Sequence, residues 1–390
     1  MATFAGGKIE AYVGPAELGA GDQLEVKIVE FINKANHSLF IAVQELDNEH
    51  IAQAIIDASW RGVTVRMYME QSYLQRDGLP SATPKASETE AEARRRVQWT
   101  QETSERGTGP NRKILAALLR NSIDVKADFN PKIFHQKFII RDSQKSRKDH
   151  VKNKPRHQAV LTGSTNFTKT GTHKNLNHVV VFNDTRIVKE FVHEFEEIRQ
   201  GTFGKLNQRH ENMPKTINLN DVPVRILFAP DDAPELEIVK QMLKCESRLN
   251  FAIFTFAGSS GIDDAMIMLK AAGRDVKGVL DPGQGRQSWA ATDWLHDKGV
   301  EVRFPRRVPG FGKLHHKLMV IDDAIVVGGS MNYTAPANDF NDENIFVIGS
   351  PYDLPESKGG PVDHEECKKI ADFFREEIER ISSQSEPFVP

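Results

Sequence analysis

The amino-acid sequence predicts an α/β protein built from two homologous halves, and two observations lead to this prediction. Short apolar runs of strand length alternate with longer amphipathic stretches of helix length along the chain. The same order of runs then occurs a second time, and both copies contain the pattern H-x-K-x-x-x-x-D, at residues 135–142 and 315–322. Self-similarity over half a chain indicates that each half forms one layered unit of the same kind.

Each half is expected to begin with a short apolar strand that ends at a proline and to close with an amphipathic helix. Between these ends strands alternate with helices, and two apolar strands then follow one another. The paired strands, first half then second half, are 11–15 and 226–230, 38–43 and 249–254, 63–69 and 275–280, and 124–127 and 300–304, followed by the two H-x-K strands. The paired helices are 24–35 and 235–245, 49–61 and 263–272, 112–120 and 291–298, and 186–199 and 365–381.

Composition and charge are those of an ordinary soluble protein, and 390 residues allow two domains or one large core. The net charge of −3 gives no global attraction to nucleic acid or to an anionic membrane, so any such attraction must be local. No apolar run approaches the length of a membrane span, and the first residues do not read as a signal peptide. Two cysteines, Cys245 and Cys367, are expected to be reduced, partly buried thiols, and the predicted location is cytoplasmic.

In each copy of the repeated pattern a histidine and a lysine stand two residues apart at the start of an apolar run. Residues i and i+2 of a strand share one face, so His135 is expected beside Lys137, and His315 beside Lys317. A second apolar strand then ends in Gly-Ser-x-Asn in both halves. The polar residues of these two segments are Ser164 and Asn166 in the first half, and Ser330 and Asn332 in the second half.

These residue types together favour chemistry on a phosphodiester. Two histidines can divide the roles of nucleophile and general acid. Two lysines and two asparagines supply hydrogen-bond donors for an anionic group. No spacing of His, Cys, Asp or Glu suggests a metal site, so lysine is expected to supply the positive charge. A tetrahedral phosphodiester develops charge on its nonbridging oxygens in the transition state, and fixed donors stabilise that charge.

The sequence resembles the phospholipase D superfamily, whose members carry two H-x-K-x-x-x-x-D motifs, each followed by G-S-x-N. The resemblance covers nearly the whole chain, because the order of strands and helices also matches. It implies a phospholipase D fold, in which two α/β/α sandwich halves related by a pseudo-twofold axis share one active site. The boundaries we predict are 1–205 for the first half, 206–222 for a linker, 223–382 for the second half and 383–390 for a tail.

The resemblance also implies a reaction through a phosphohistidine intermediate, with no metal or other cofactor. One histidine attacks phosphorus, and the other protonates the leaving oxygen before it activates water or an alcohol. The catalytic residues that this implies are His135, Lys137 and Asn166, with His315, Lys317 and Asn332. The supporting residues are the structural aspartates Asp142 and Asp322, and the serines Ser164 and Ser330, which either hydrogen-bond near the site or shape the turn. His316 is expected to face away from the site as a polar core residue.

The two halves differ at one position that matters for this chemistry. The family often has a carboxylate shortly after G-S-x-N that holds a catalytic imidazole; the second half has Glu343 there, and the aligned first-half residue is Asn177. A carboxylate raises the basicity of an imidazole, whereas an amide only orients it. By analogy with related two-motif enzymes we expect Glu343 to support His135 as nucleophile, and Asn177 to orient His315 as the acid and base.

The superfamily includes lipid hydrolases, lipid synthases and nucleases, so the substrate must be argued from local features. The first half contains two insertions, a segment at 71–110 that reads as a solvated insertion or as a substrate-facing arm, and a basic loop at 143–157. The loop suits a polyanion such as DNA or RNA, or else it is a charged hairpin tip. The candidate substrate-binding residues are Lys145, Arg147, Lys148, Lys152, Lys154 and Arg156 in the loop, with Arg306, Arg307 and Lys313 before the second motif.

We therefore favour a metal-independent nuclease, specifically an endonuclease that acts on DNA, with RNA as the alternative nucleic acid. A protein partner in a larger nuclease or defence assembly is a further expectation, by analogy with cytosolic bacterial nucleases of this type. A cytosolic phospholipase D or phosphatidyltransferase is the alternative, although the chain shows no lipidation motif or interfacial helix. A non-catalytic scaffold that binds nucleic acid is a third class, which two intact His-Lys pairs disfavour.

Overall fold

Two mixed β-sheets, one from each half of the chain, form the framework of the molecule. The structure is a computed structural model that describes residues 2–74, 89–94, 110–143, 157–207, 214–356 and 360–390. The strands are β1 (Ala2–Phe4), β2 (Ile9–Gly14), β3 (Ser38–Val43), β4 (Thr64–Met69), β5 (Asp124–Ala127), β6 (Lys137–Arg141), β7 (Ala159–Gly163), β8 (Asn177–Phe182), β9 (Ile217–Leu219), β10 (Val222–Ala229), β11 (Arg248–Ile253), β12 (Asp275–Leu280), β13 (Glu301–Pro305), β14 (Lys317–Ile321), β15 (Ile325–Gly329), β16 (Glu343–Ile348) and β17 (Ser385–Pro387).

The helices of the first half largely repeat in the second half. They are α1 (Leu24–Asn33), α2 (Glu49–Trp60), α3 (Gln71–Leu74), α4 (Pro110–Arg120), α5 (Lys169–His173), α6 (Thr185–Gln200), α7 (Pro234–Met242), α8 (Gly261–Ala271), α9 (Pro282–Gly285), α10 (Thr292–Asp297), α11 (Ala335–Asp339) and α12 (His364–Ser383). Short 3-10 turns occupy Ala5–Gly7, Ala16–Leu18 and Gly204–Asn207. No helix in the described part of the chain has both the length and the apolar character needed to cross a membrane.

The order of the strands shows the duplication directly. In the described residues the first sheet runs β1-β2-β8-β7-β6-β3-β4-β5, and the second runs β9-β10-β16-β15-β14-β11-β12-β13-β17. Strands β3, β4 and β5 are parallel in the first sheet, as are β11, β12 and β13 in the second. All other neighbouring strands in the two sheets pair antiparallel. The α/β fold class that the sequence predicts is therefore confirmed.

The motif strands β6 and β14 lie in the middle of their sheets and are buried on both faces. This position explains why each reads as a continuous apolar run rather than an alternating one. One core contains the inward faces of both sheets together with the closing helices α6 and α12. Separate cores lie on the outer faces, under α1 and α2 in the first half and under α7 and α8 in the second half.

The glycine of each Gly-Ser-x-Asn segment is required by close contact with the neighbouring strand. Gly163 has φ +150°, and a Cβ atom there would lie 2.3 Å from the carbonyl oxygen of His178. Gly329 has φ +139°, and its Cβ would lie 2.3 Å from the carbonyl oxygen of Asn344. Five residues after each glycine a threonine caps a short helix. Thr168 Oγ1 accepts from Gly171 N at 2.8 Å in α5, and Thr334 Oγ1 accepts from Ala337 N at 3.3 Å in α11. These contacts fix the turn that carries the asparagine of each segment.

The two halves are joined by main-chain hydrogen bonds at the motifs themselves. The backbone N–H of His135 donates to the carbonyl oxygen of Asp342 at 2.9 Å, and that of His315 donates to Leu176 at 2.9 Å. Phe134 and Leu314, the residues before the histidines, form isolated parallel bridges with the same partners. The start of each motif strand is thus held by the segment that follows Gly-Ser-x-Asn in the other half.

Two short strands lie within the segments predicted as linker and tail. Strand β9 lies within the predicted linker 206–222 and pairs with β10, so residues 217–219 belong to the second sheet. Strand β17 lies within the predicted tail 383–390 and pairs with β13 at the opposite edge. Both strands have only three residues, too few for a period-2 pattern to be visible in the sequence.

Other predicted segments are described only in part. Of the insertion 71–110, α3, residues 89–94 and the first residue of α4 are described. Residues 144–156 of the basic loop lie outside the described residues. Cys245 and Cys367 are buried free thiols, as the sequence predicts.

Candidate active site

The two motif strands bring their histidine–lysine pairs to one place at the junction of the halves. All four side chains are buried: His135 and His315 are each 6% exposed, and Lys137 and Lys317 are each 1% exposed. Burial lowers the pKa of His315 well below its usual value. The charges of Lys317, Lys137 and His135 lower it further, so the four side chains are close enough to interact electrostatically.

His135 is held by a carboxylate from the other half. Its Nδ1 lies 2.6 Å from Oε2 of Glu343, which is itself fully buried, so the predicted contact is present. Ser330 Oγ donates to the same carboxylate oxygen at 2.6 Å. Burial lowers the pKa of His135 to about 4, although Glu343 opposes this effect. The imidazole is therefore neutral at neutral pH, with its proton on Nδ1 and its lone pair on Nε2.

His315 is held by an amide from the other half, again as predicted. Its Nδ1 lies 3.0 Å from Oδ1 of Asn177 and 3.1 Å from the carbonyl oxygen of Ser164. Asn177 Nδ2 donates to the carbonyl oxygen of Gly171 at 2.8 Å, which fixes the amide so that its oxygen faces the ring. Ser164 Oγ donates to the same amide oxygen at 2.8 Å. Both neighbours of Nδ1 are acceptors, so Nδ1 carries the proton in this ring too.

Both lysines are desolvated, but their neighbours differ. Lys137 Nζ donates to the carbonyl oxygen of His135 at 2.8 Å and to Gln44 Oε1 at 3.4 Å. Lys317 Nζ donates to the carbonyl oxygen of His315 at 2.9 Å and lies 5.0 Å from the ring of Phe254. Burial lowers the pKa of Lys137 to about 7 and that of Lys317 well below its usual value. An anion bound between them would offset this cost.

The asparagines of the Gly-Ser-x-Asn segments each have a buried side-chain oxygen. Asn166 Oδ1 and Asn332 Oδ1 are both buried and have no hydrogen-bond partner in the described residues. Buried polar atoms are paired in most proteins, and exceptions concentrate where a ligand binds. Asn166 and Asn332 occupy equivalent positions in the two halves, as Lys137 and Lys317 do.

The motif aspartates have a structural position. Asp142 accepts hydrogen bonds from the backbone N–H groups of Asn36, His37 and Ser38, at the start of β3. Asp322 does the same for residues 246–248 at the start of β11. Each side chain therefore fixes the turn that leads into the strand next to its motif strand, at the end remote from the histidine.

The predicted substrate-binding residues lie in two different regions. The loop residues Lys145, Arg147, Lys148, Lys152, Lys154 and Arg156 lie outside the described residues. The attachment points of that loop, Ser143 and His157, follow β6 and precede β7 at the end of those strands remote from His135. Nothing about these attachment points therefore favours contact with the motif histidines.

The basic residues before the second motif are described, and one of them is near the site. Lys313 Nζ lies 5.3 Å from the ring of Phe254, and its charge contributes to the lowered pKa of His315. Arg306 is exposed and forms an ion pair with Glu386 at 3.1 Å. Arg307 is also exposed.

Sequence reasoning missed several residues that complete the site. Phe254 lies 4.7 Å from the ring of His315, and Glu45 has its pKa raised to about 7 by burial and Asp47, with Lys137 and Lys313 acting against the shift. Glu70 Oε2 accepts from the backbone of Phe134 at 2.6 Å, and Asp281 Oδ2 accepts from Leu314 at 3.0 Å. All four lie within two residues of the carboxyl end of a parallel strand, at the edge of the sheet where the site lies.

A duplicated α/β framework with two histidine–lysine pairs at one junction defines a class of phosphodiesterases. Residues 28–199 and 238–359 match the family described as "Cardiolipin synthase, PLD-like domain". The chain belongs to this phospholipase D superfamily, as the motifs predict.

Known proteins show the same relationship over parts of the chain. Mitochondrial cardiolipin hydrolase of Xenopus tropicalis is 31% identical over 146 residues, which is 37% of this chain and 60% of that protein. A phospholipase D of Rickettsia typhi is 29% identical over 140 residues, or 36% of this chain and 65% of that protein. The chain thus spans less than two thirds of the length of these relatives. Phosphatidylserine synthase of Haemophilus influenzae shares the fold, with a TM-score of 0.60 at 12% identity over 100% of this chain and 88% of that chain.

Proposed function

We propose that the protein hydrolyses phosphodiester bonds of nucleic acid through a phosphohistidine on His135. The observation that carries this proposal is the way both imidazoles are held. In each ring Nδ1 is bound by an acceptor from the other half, Glu343 or Asn177. This arrangement leaves the two Nε2 atoms for the substrate, one as an unprotonated nucleophile and the other as a proton donor.

In the first step, Nε2 of His135 attacks phosphorus and a P–N bond forms. The P–O bond to the leaving group breaks, and His315 transfers its Nε2 proton to the departing oxygen. Glu343 accepts a hydrogen bond from Nδ1 and stabilises the positive charge that develops on the attacking ring. Lys137 and Lys317 stabilise the negative charge on the nonbridging oxygens.

In the second step, His315 removes a proton from water, and the hydroxide oxygen attacks phosphorus. The P–N bond breaks, its electron pair returns to Nε2 of His135, and a phosphomonoester leaves. Each histidine regains its starting protonation state over the two steps, and the atoms of one water molecule are added across the original P–O bond.

The charge at the site supports an anionic substrate. Without substrate, burial and the neighbouring lysines lower the pKa of His315, which would leave it unable to act as an acid at neutral pH. The negative charge of a bound phosphodiester acts in the opposite sense, because an opposite charge nearby favours the protonated imidazole. Substrate binding therefore prepares the proton donor.

The exposed residues at the edge of the two sheets where the site lies support nucleic acid as the substrate. Lys137 pairs with the last residue of β3 and Lys317 with the last residue of β11, so the carboxyl ends of these parallel strands form the site edge. Beyond those ends, Phe129 is 77% exposed and Trp289 is 46% exposed, one in each half. Aromatic side chains combined with Lys313 and Arg307 suit base stacking and backbone contact.

A phospholipid substrate is the second candidate, and a specific observation favours it. The family description and both curated relatives carry lipid-acting names, cardiolipin synthase, cardiolipin hydrolase and phospholipase D. Exposed Phe129 and Trp289 would also suit contact with a membrane interface.

The test is to incubate the protein in EDTA with labelled single- and double-stranded DNA, RNA, and vesicles of phosphatidylcholine or cardiolipin. We expect cleavage of nucleic acid by the native chain and none by His135→Ala. Cleavage of lipid alone would replace the nuclease proposal with the second candidate. Turnover of no substrate, with nucleic acid still bound, would favour a scaffold. The cytoplasmic location stays a prediction.

A further inference from the structure

Behind the two motifs lie two buried polar clusters that the duplication relates to each other. In the second half, His316 of the motif contacts His178 (Nδ1 to Nδ1, 3.0 Å), and its Nε2 lies 3.5 Å from Oε1 of Glu377 on α12. The guanidinium of Arg380 donates two hydrogen bonds of 2.7 Å to this carboxylate. Burial raises the pKa of Glu377, but the bonds from Arg380 and His316 outweigh it and hold the pKa below its usual value.

The cluster of the first half has the same plan without the cation. Gln136, the motif residue equivalent to His316, accepts from Asn344 Nδ2 at 2.6 Å and donates to Glu194 Oε1 on α6 at 3.0 Å. The buried residues of the two closing helices align in register, Phe191 with Phe374 and Ile198 with Ile381. In this register Glu194 is the counterpart of Glu377.

The counterpart of Arg380 in that register is Glu197, so a carboxylate replaces the guanidinium. A third carboxylate, Asp231, comes from the turn after β10 in the second half. The carboxylate oxygens of Glu194, Glu197 and Asp231 lie within 4.8 Å of one another. His193 Nε2 lies 3.3 Å from Oε1 of Glu197 on the exposed side of the cluster.

An independent observation indicates that this cluster takes a ligand. Glu194 is 1% exposed, and its Oε2 has no hydrogen-bond partner in the described residues. Oδ1 of Asp231 is also buried and unpartnered. A buried ionised carboxylate without a neighbouring positive charge is costly, and the second-half counterpart, Glu377, meets that cost with a bidentate arginine.

The protonation behaviour agrees with an unmet need for positive charge. Burial raises the pKa of Glu194 well above its usual value, and the charges of Asp231, Asp342 and Glu197 raise it further. Burial and Asp232 raise the pKa of Asp231 to about 8.

We propose that Glu194, Glu197 and Asp231 bind a hard divalent cation, Ca²⁺, at the place that Arg380 occupies in the other half. Ca²⁺ suits the site because all three ligands are carboxylates, and carboxylate oxygens in a flexible arrangement are its preferred donors. The half-buried Glu197 and Asp231 leave one side open for water ligands and for entry of the ion.

The proposed ion would link the two halves. Two of its ligands lie on α6 of the first half, and the third follows β10 of the second half. Through Glu194 it would also fix Gln136, whose neighbours on either side are His135 and Lys137. Its role would be to stabilise the junction; the phosphoryl-transfer steps written above do not pass through it.

The test compares thermal unfolding and calorimetric binding in EDTA and in Ca²⁺, for the full chain and three variants. For a chain of 390 residues, a hundredfold excess of Ca²⁺ over its dissociation constant should raise Tm by about 3 °C. Glu197→Gln should lose most of this shift. Glu197→Arg copies the second half and should be as stable in EDTA as the native chain is in Ca²⁺, with no further response. Glu196→Gln on the same helix is the matched control and should keep the full shift.

Three outcomes would overturn the proposal. One is the absence of a Tm shift and of binding heat when the native chain meets millimolar Ca²⁺. Another is a shift that persists undiminished in both Glu197 variants, which would place the ion elsewhere. Binding of Mg²⁺ or Mn²⁺ but not Ca²⁺ would overturn the choice of ion. Because these readouts do not use turnover, they stand apart from the nuclease assay.

Discussion

His135 and His315 occupy equivalent places in the two halves, yet the side chains that hold them differ. Glu343 contacts His135 and Asn177 contacts His315, each across the junction and each bonded to a serine of its own half. The lysines differ in the same way, since Gln44 contacts Lys137 and Phe254 contacts Lys317. A duplicated framework thus places two imidazoles in equivalent positions, while a few neighbouring residues give them different hydrogen-bond partners.

The largest expected effect separates the two histidines. Removing His135 should abolish phosphoenzyme formation with every substrate, and removing His315 should slow cleavage of an ordinary diester by about 10⁴-fold. With a p-nitrophenyl diester, whose leaving group needs no proton, His315→Ala should still form the phosphoenzyme. Samples quenched in detergent at alkaline pH, where the P–N bond survives, measure this directly with a ³²P-labelled substrate. A phosphoenzyme that forms in His135→Ala but not in His315→Ala would reverse the assignment.

The next effect concerns the two lysines. Lys137→Met and Lys317→Met should each lower kcat by about 10²–10³-fold, because each removes a donor aimed at developing charge. Neither change should lower Tm, since a buried ammonium without a carboxylate partner costs free energy in the unliganded protein. Lys317→Met should be the more stable of the two, as Lys317 has an aromatic ring where Lys137 has an amide oxygen. Calorimetry combined with single-turnover rates checks both statements, and a lower Tm in either variant would count against them.

Exchange of the supporting residues should alter the pH dependence. His135 must be neutral to attack, so phosphoenzyme formation should fall as pH falls through about 4, its pKa in the folded protein. Glu343 raises that pKa, so Glu343→Gln should move this acid limb to lower pH while the plateau rate falls about 100-fold.

The reciprocal variant, Asn177→Asp, should raise the pKa of His315, because a carboxylate favours the imidazolium. Quench-flow profiles of the two variants against the native chain provide the comparison. An unchanged acid limb in Glu343→Gln would mean that the carboxylate only positions the ring.

The smallest expected effect concerns Lys313, the basic residue beside the site, and its contribution to the binding of nucleic acid. Lys313→Ala should raise the KM for nucleic acid about tenfold at low salt and reduce the slope of log KM against log salt by about 1, with little change in kcat. Arg306→Ala is the matched control, since this arginine already pairs with Glu386 and should matter less. Equal effects of the two substitutions would indicate a diffuse charge effect rather than a contact by Lys313.

The sequence could predict the parts of this molecule that repeat. Aligning one half with the other predicts the order of strands and helices along the chain and the equivalence of the two motifs. The resemblance to two-motif enzymes then predicts which residue of the other half contacts each motif histidine. Unpaired features were harder to predict. Strands β9 and β17 are too short for a pattern, and the basic loop was expected near the site although β6 runs away from His135 before that loop begins.

The remaining site residues depend on tertiary structure. Glu45, Phe254, Glu70 and Asp281 are ordinary residues after a strand until the sheet places them beside the motifs. Asp231 is remote in sequence from Glu194, and only the packing of α6 against the second half brings them together. Alignment of the two closing helices does give one signal in the sequence itself. Glu197 occupies the position equivalent to Arg380, so the first-half cluster has a carboxylate where the second has a cation.

The exchange of main-chain and side-chain contacts between the halves also has a consequence for synthesis. His135 obtains its carboxylate from a residue 208 positions later in the chain. At about 5–20 residues per second, a ribosome needs roughly 10–40 s to reach that residue. During this interval the nascent first half carries a motif histidine without the carboxylate that contacts it. On the proposed mechanism, the site therefore becomes competent only after the segment that contains Glu343 has been synthesised.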